Sequence, residues 1–210
     1  MSDVAPDGIP PLAGLCDHAA AARIGPGIDE SVRRLLRFHW VEKRLSDAAV
    51  ARLPGTPEWE VKGALALHQW LDAEHAEALR RRIAEMRHPA PRTDVPPDAA
   101  LGAWLGEVAA APDTLTLLTG LHDVARAALA DAYRGYLAES NPLVDQPTRR
   151  VLRAALLEHE EMLDWGRAAR AALAHDDEAE QRAEGWSRHL RAYLAAAGGV
   201  PGTGVAAPRA

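Results

Sequence analysis

Along several long stretches of this chain, apolar residues recur at alternating three- and four-residue intervals, a spacing that only an α-helix turns into one continuous face. In VKGALALHQWLDAEHAEALRRRIAEM that face runs Val61, Leu65, His68, Asp72, His75, Leu79 and Met86. Three ionisable side chains therefore stand where the helix is expected to bury carbon. The segment SVRRLLRFHWVEKRLSDAAV has the same fault, since Leu35, Phe38, Glu42, Leu45 and Ala49 share a face with a carboxylate at its middle. Burying such a group is costly unless it is paired, protonated or metal-bound. Two neighbouring helices are thus expected to aim polar groups at each other across a core.

Composition supports helices throughout. Alanine and arginine are abundant, phenylalanine occurs once, and no alternating strand pattern is found, so the fold class is all-α. A chain of 210 residues suffices for one well-packed domain. The net charge of −6 is spread with both signs interspersed, which leaves no basic face for phosphates and argues against nucleic-acid partners. A single cysteine, Cys16, excludes an intramolecular disulfide and any multi-thiolate zinc site. The amino terminus has no basic, apolar signal pattern and no run reaches the length of a membrane span, so the expectation is a cytoplasmic protein without membrane partners.

Proline and glycine punctuate the chain. Residues 1–27 form a loop-rich leader with at most a short helix around Cys16 to Arg23, residues 28–197 a single helical-bundle domain, and residues 198–210 a disordered tail. Within the domain, helices are expected at about 29–53, 58–87, 99–110, 113–139, 148–174 and 177–197. Pro54-Gly55-Thr56-Pro57 is a short break that makes antiparallel neighbours, while HPAPRTDVPPDA begins a long crossover.

That plan, together with FHWVEKRLSDAAVARLPGTPEWEVKGALALHQWLDAEHAEALRRR and NPLVDQPTRRVLRAALLEHEEMLDWG, resembles the ferritin-like superfamily over about residues 30–170. The resemblance implies a ferritin-like four-helix bundle with a long crossover between helices two and three and an additional C-terminal helix. Metal-binding members take a Glu from helix one and an acid-x-x-His pair from helix two, which fall on Glu42, Asp72 and His75. The second acid-x-x-His pair falls on His159 and Met162, neither of the expected type. On helix three the level of His159 is Arg126 to Ala128, without a carboxylate, and Asp123 and Asp131 lie a turn to either side. The dimetal site implied is about half complete.

From these residues the expected catalytic set is Glu42, Asp72, His75 and His159, because carboxylates and imidazoles buried together push each other toward neutral pKa values and suit proton transfer. His39, His68, Trp70, Tyr133, Glu158 and Met162 are expected to line a substrate pocket. No cofactor is expected. The alternative is iron, held by Glu42, Asp72, His75, His159 and Glu161. Three classes follow: an acid/base enzyme acting on a small amino-acid-like metabolite by displacement, cyclisation or elimination; an iron-dependent oxidase or oxygenase; and a non-catalytic bundle whose polar core selects a partner. A small-molecule substrate is the expected partner, with a dimer or a helical protein as a further one. His122-Asp123 resembles the dyad of helical metal phosphohydrolases, but such a dipeptide is frequent by chance. A buried, unpaired Asp72 further predicts that Asp72→Asn costs little stability or raises it.

Overall fold

The computed structural model describes residues 8–202 and is helical, with no strand among the described residues. A 3₁₀ turn at Leu12–Gly14 and α1 (His18–Ala21) lead into α2 (Ile28–Arg52) and α3 (Trp59–Met86); α4 (Ala99–Ala109) follows a loop. Next come α5 (Thr114–Leu118), a π-helical stretch (Thr119–Arg126) and α6 (Ala127–Glu139), which together form one long rod, then α7 (Gln146–Leu173) and α8 (Asp177–Ala196).

Local chemistry sets the ends. Asp17, Asp98, Asp113 and Asp176 accept a hydrogen bond from the backbone three residues on, satisfying N–H groups that a helix start leaves bare. Asp113 adds a capping box with Thr116, which fixes where the third rod begins. The helix starting at Gln146 includes Pro147 in its first turn, two residues earlier than the sequence reading, because a first-turn proline surrenders no intrahelical bond. Thr56 returns its hydroxyl to the Arg52 carbonyl at 2.9 Å and closes the α2 terminus at the Pro-Gly break.

Partner residues give the relative directions. Glu42 meets His75 and Asp29 meets Arg87, so α2 and α3 are antiparallel. His68 meets Trp165 while Arg82 meets Thr148, which makes α7 antiparallel to α3. His68 meets His122 and Asp72 meets Arg126, so the third rod runs parallel to α3, and the segment from 87 to 113 carries the chain back to the same end. Between the four long rods lie Leu35, Leu65, Leu79, Leu129 and Leu152, all essentially inaccessible to solvent. Each fully buried leucine contributes roughly 1.5–3 kcal/mol. Phe38 packs edge-on against Tyr133 at 5.1 Å, and α8 with α4 covers the π-helical stretch through Leu190 and Val108.

The carboxy-terminal segment departs from the expected loose tail. Arg37 donates to the carbonyls of Ala197, Gly199 and Val200, Arg33 reaches Pro201, and Val200 is buried. A Gly/Pro-rich stretch has no apolar periodicity, yet its free carbonyls suit guanidinium donors that α2 presents along one side. Residues 203–210 of the expected tail lie outside the described residues. A chain ending at Ala197 should be less stable than one ending at Gly202 by about 2–4 kcal/mol, from the lost Val200 burial and the lost carbonyl acceptors of Arg37, which keeps its pairing with Asp98. Urea denaturation followed by circular dichroism checks this, and equal midpoints would mean that residues 198–202 contribute nothing.

Candidate functional site

Midway along the rods, the apolar stripes give way to a polar centre to which four helices contribute. Glu42 comes from α2, Asp72 and His75 from α3, Arg126 and Tyr133 from the π-helical and α6 parts of the third rod, and His159 from α7. Each sits at the middle of its own buried stripe, so helix packing alone forces them together. One potential ligand atom from each of Glu42, Asp72, His75 and His159 lies within 4.8 Å of the others.

Arg126 organises one half. Its guanidinium forks onto Asp72, with Nη1 donating to Oδ1 at 2.5 Å and Nη2 to Oδ2 at 3.0 Å, and both residues are fully buried. Nη1 also donates to His159 Nδ1 at 2.9 Å. Because a guanidinium only donates, His159 must accept at Nδ1 and present Nε2–H to Glu42 Oε1, which lies 2.8 Å away. Burial opposes the Arg126 charge, but Asp72 and Glu42 outweigh it and hold the group above its usual value. Complete burial likewise pushes Asp72 up, with Arg126 pulling against it.

Glu42 and His75 form the other half. Glu42 Oε1 accepts from the Tyr133 hydroxyl at 2.6 Å and has His75 Nδ1 at 3.3 Å, while Oε2 has no partner. Burial drives the Glu42 carboxyl up, and the imidazoles of His159 and His75 overcome it and hold it well below the ordinary range. Burial and the nearby Glu42 charge raise the Tyr133 hydroxyl well above its usual value, so it remains a donor. On the far side, His75 Nε2 donates to Glu158 at 2.7 Å. Burial disfavours the His75 imidazolium, yet Glu42 beside Nδ1 and Glu158 on Nε2 push the pKa up to about 9. The centre therefore holds two ion pairs, Asp72 with Arg126 and Glu42 with His75, and Glu158 stands at the rim with its side chain 42% exposed.

A second polar layer lies one turn along. His68 Nδ1 and His122 Nε2 are 3.2 Å apart, with Trp165 edge-on to His68 at 5.2 Å. Burial first, then the Arg126 charge, lowers both imidazoles, His68 to about 3. His122 fits only because position 166 is glycine: a Cβ there would stand 2.5 Å from the His122 ring.

Most expected residues meet here, and some do not. Tyr133 and Glu158 join the centre, while His68 and Met162 line a groove beside it. Trp70 is 54% exposed, because it lies two residues from His68 and so projects from the opposite side of α3. His39 has both ring nitrogens on backbone carbonyls, Ala76 at 2.9 Å and Thr93 at 3.2 Å, and ties α2 and α3 to the loop before α4. Glu161 is exposed, away from the converging donors. Asp123 turns to Arg170 and Asp131 to Arg134, so neither enters the centre. Sequence reasoning did not bring Arg126 into the centre and weighed His122 only as part of the His122-Asp123 dipeptide. Their signal was available, since His122, Arg126, Leu129 and Tyr133 follow the same interrupted helical stripe as α3.

The donor set does not fit a carboxylate-bridged dimetal centre. Such a centre uses around four carboxylates and two histidines, whereas two of each converge here. Arg126 takes up both oxygens of Asp72 and one nitrogen of His159. A dication on that carboxylate would stand about 5 Å from a permanent cation, a repulsion of roughly 7 kcal/mol at an effective dielectric constant near 20. Compared with known protein families, curated proteins and solved structures, the chain gives no match, so the site is interpreted from its own geometry.

Two outcomes follow. Asp72→Asn should destabilise the protein by about 3–5 kcal/mol, measured by chemical denaturation, because it strands a buried guanidinium; this reverses the expectation from an unpaired Asp72. Stability should also peak near pH 6.5. The raised His75 contributes stability that is complete below 6.5 and lost as pH rises through about 9, on the order of 3 kcal/mol. The lowered His68 and His122 make stability fall as pH drops below 6.5, since the unfolded chain takes up protons that the native state refuses. Melting temperatures across this range check the profile, and His75→Gln should flatten its alkaline side only.

Proposed function

We propose that this chain is a small-molecule enzyme that moves protons, built on a divergent ferritin-like four-helix bundle in which an arginine has taken the place of metal charge. The parallel run of α3 and the third rod supports the ferritin-like reading, because it requires one long crossover between the second and third helices. The observation that carries the function is the line Glu158, His75, Glu42. It joins a fully buried carboxylate to a rim carboxylate through one imidazole, with contacts of 3.3 and 2.7 Å.

This line holds a proton donor and a proton acceptor at one place. At neutral pH His75 carries the extra proton, Glu158 is the accessible base, and Glu42 behind the ring fixes its orientation and balances its charge. In an elimination or an intramolecular displacement, Glu158 takes a proton from the substrate and the released electron pair forms the new bond. The leaving group departs with its own pair and receives the proton on His75 Nε2. Glu158 then passes the proton it took to His75 across the same hydrogen bond, restoring both groups. Glu42 Oε2 and His75 Nδ1 are both buried without a hydrogen-bond partner, so a turn of the ring has an acceptor to meet. Asp72, Arg126 and His159 position Glu42 without touching the reacting atoms. Metal-dependent oxidation is the weaker reading because of where Arg126 sits.

The test is to incubate wild-type protein and Glu158→Gln with the small-molecule fraction of a bacterial lysate and compare the two by mass spectrometry. Species consumed by wild type should be consumed at least ~100-fold more slowly by the variant, the range lost with a general base. Glu158 is partly exposed, so the variant should fold. Identical depletion by both proteins would reject the assignment of Glu158, and no depletion by wild type would reject the enzymatic reading.

A further inference from the structure

Between α3 and α7, directly outside the Glu158–His75 pair, an open groove of ≈ 390 Å³ runs along the bundle. Its apolar wall is Leu67, Leu71, Met162 and Trp165, which offers a hydrophobic and aromatic surface to a small skeleton. The ionisable side chains lining it are Glu60, His68, Glu158 and Glu161, with no lysine or arginine among them. On α7 itself, Glu160 pairs with Arg134 and Asp164 with Arg167. Glu60 and Glu161 have no ion-pair partner among the described residues.

His68 supplies an independent sign. Its side chain is 95% buried by the 5% exposure of the residue, it lines the groove, and only its Nδ1 is used, toward His122. His68 Nε2 has no hydrogen-bond partner among the described residues, and it borders a groove whose other polar groups, apart from the indole N–H of Trp165, are carboxylates.

We infer that the groove binds a small organic ammonium ion, a primary or secondary amine on an apolar skeleton without an acidic group, with its N–H bonds meeting His68 Nε2 and the carboxylates and its body lying on Trp165. This rests on reading the groove as the substrate site of the proposed enzyme, and it narrows the amino-acid-like expectation. A substrate carboxylate would find three carboxylates and no cation. The neighbouring His75 charge is already engaged by Glu42 and Glu158.

The experiment uses the full chain labelled with ¹⁵N and four probes of one skeleton: 2-phenylethylamine, phenylalanine, 2-phenylethanol and 3-phenylpropionate. The amine should produce saturable shifts at the Ala64 amide and the Trp165 indole N–H, with phenylalanine and the acid at least ~10-fold weaker. The double variant Glu60→Gln, Glu161→Gln should weaken amine binding roughly fivefold or more, leave the alcohol unchanged, and remove most of the salt dependence. Both residues are surface groups, so the variant keeps the core intact. Equal or tighter binding of phenylalanine or 3-phenylpropionate would overturn the inference, as would the absence of saturable amine shifts up to about 20 mM. Amine binding together with unchanged metabolite profiles would support the amine site and sink the acid/base reading. Turnover of an acidic metabolite with no amine binding would do the reverse.

Discussion

A guanidinium in the middle of a helical core can persist only if its charge is answered, and the bundle is arranged around that demand. Arg126 sits on the third rod; its two terminal nitrogens meet Asp72 on α3 and Nη1 also meets His159 on α7, while Nε is buried without a partner. His159 then reaches Glu42 on α2, and Tyr133 returns to the same oxygen from the α6 part of the third rod. The network therefore crosses all four long helices and fixes their axial register. A register slip of one residue would leave several buried charges without partners, each at a cost comparable to the protein's whole stability margin.

The backbone of the third rod is shaped to the same end. The π-helical stretch Thr119–Arg126 carries both His122 and Arg126, and it is the most enclosed part of the rod, covered by α7, α8 and α4. π-helical turns cost hydrogen-bond geometry and are found where a side chain must be aimed. Here they coincide with the two polar residues that reach inward, and Gly166 on α7 gives up its side chain so that the His122 ring can lie against the opposing backbone. The helices α4 and α8 cover this segment, placing Val108 and Leu190 against Gly120 in place of water.

Much of this was legible in the sequence because helical periodicity is a strong signal. The long helices begin and end within two residues of where proline, glycine and capping residues place them, and Glu42, Asp72, His75 and His159 converge as their stripes require. What escaped did so for identifiable reasons. The reading of helix three looked for carboxylates and passed over Arg126, since arginine is ordinarily a surface residue and its partner lay 54 positions away. His39 satisfies the same amphipathic criterion as His68, and only the tertiary structure reveals that two distant carbonyls occupy its nitrogens. Segment 198–202 carries no periodic pattern because it is held through its backbone, by Arg33 and Arg37, and backbone carbonyls leave no mark on sequence.

The two buried ion pairs differ in one respect that decides their roles. Arg126 cannot lose its proton, so its charge is a fixed element of the core. His75 can, and it is the one cation in the centre with a path to solvent, through Glu158. Arg126 also acts at a distance: its charge adds to burial in holding His68 and His122 neutral. The imidazole bordering the groove thus remains a lone-pair acceptor while His75, flanked by two carboxylates, remains a donor. Histidines on one helix, two turns apart, are set to opposite tasks because one faces a permanent cation and the other faces anions.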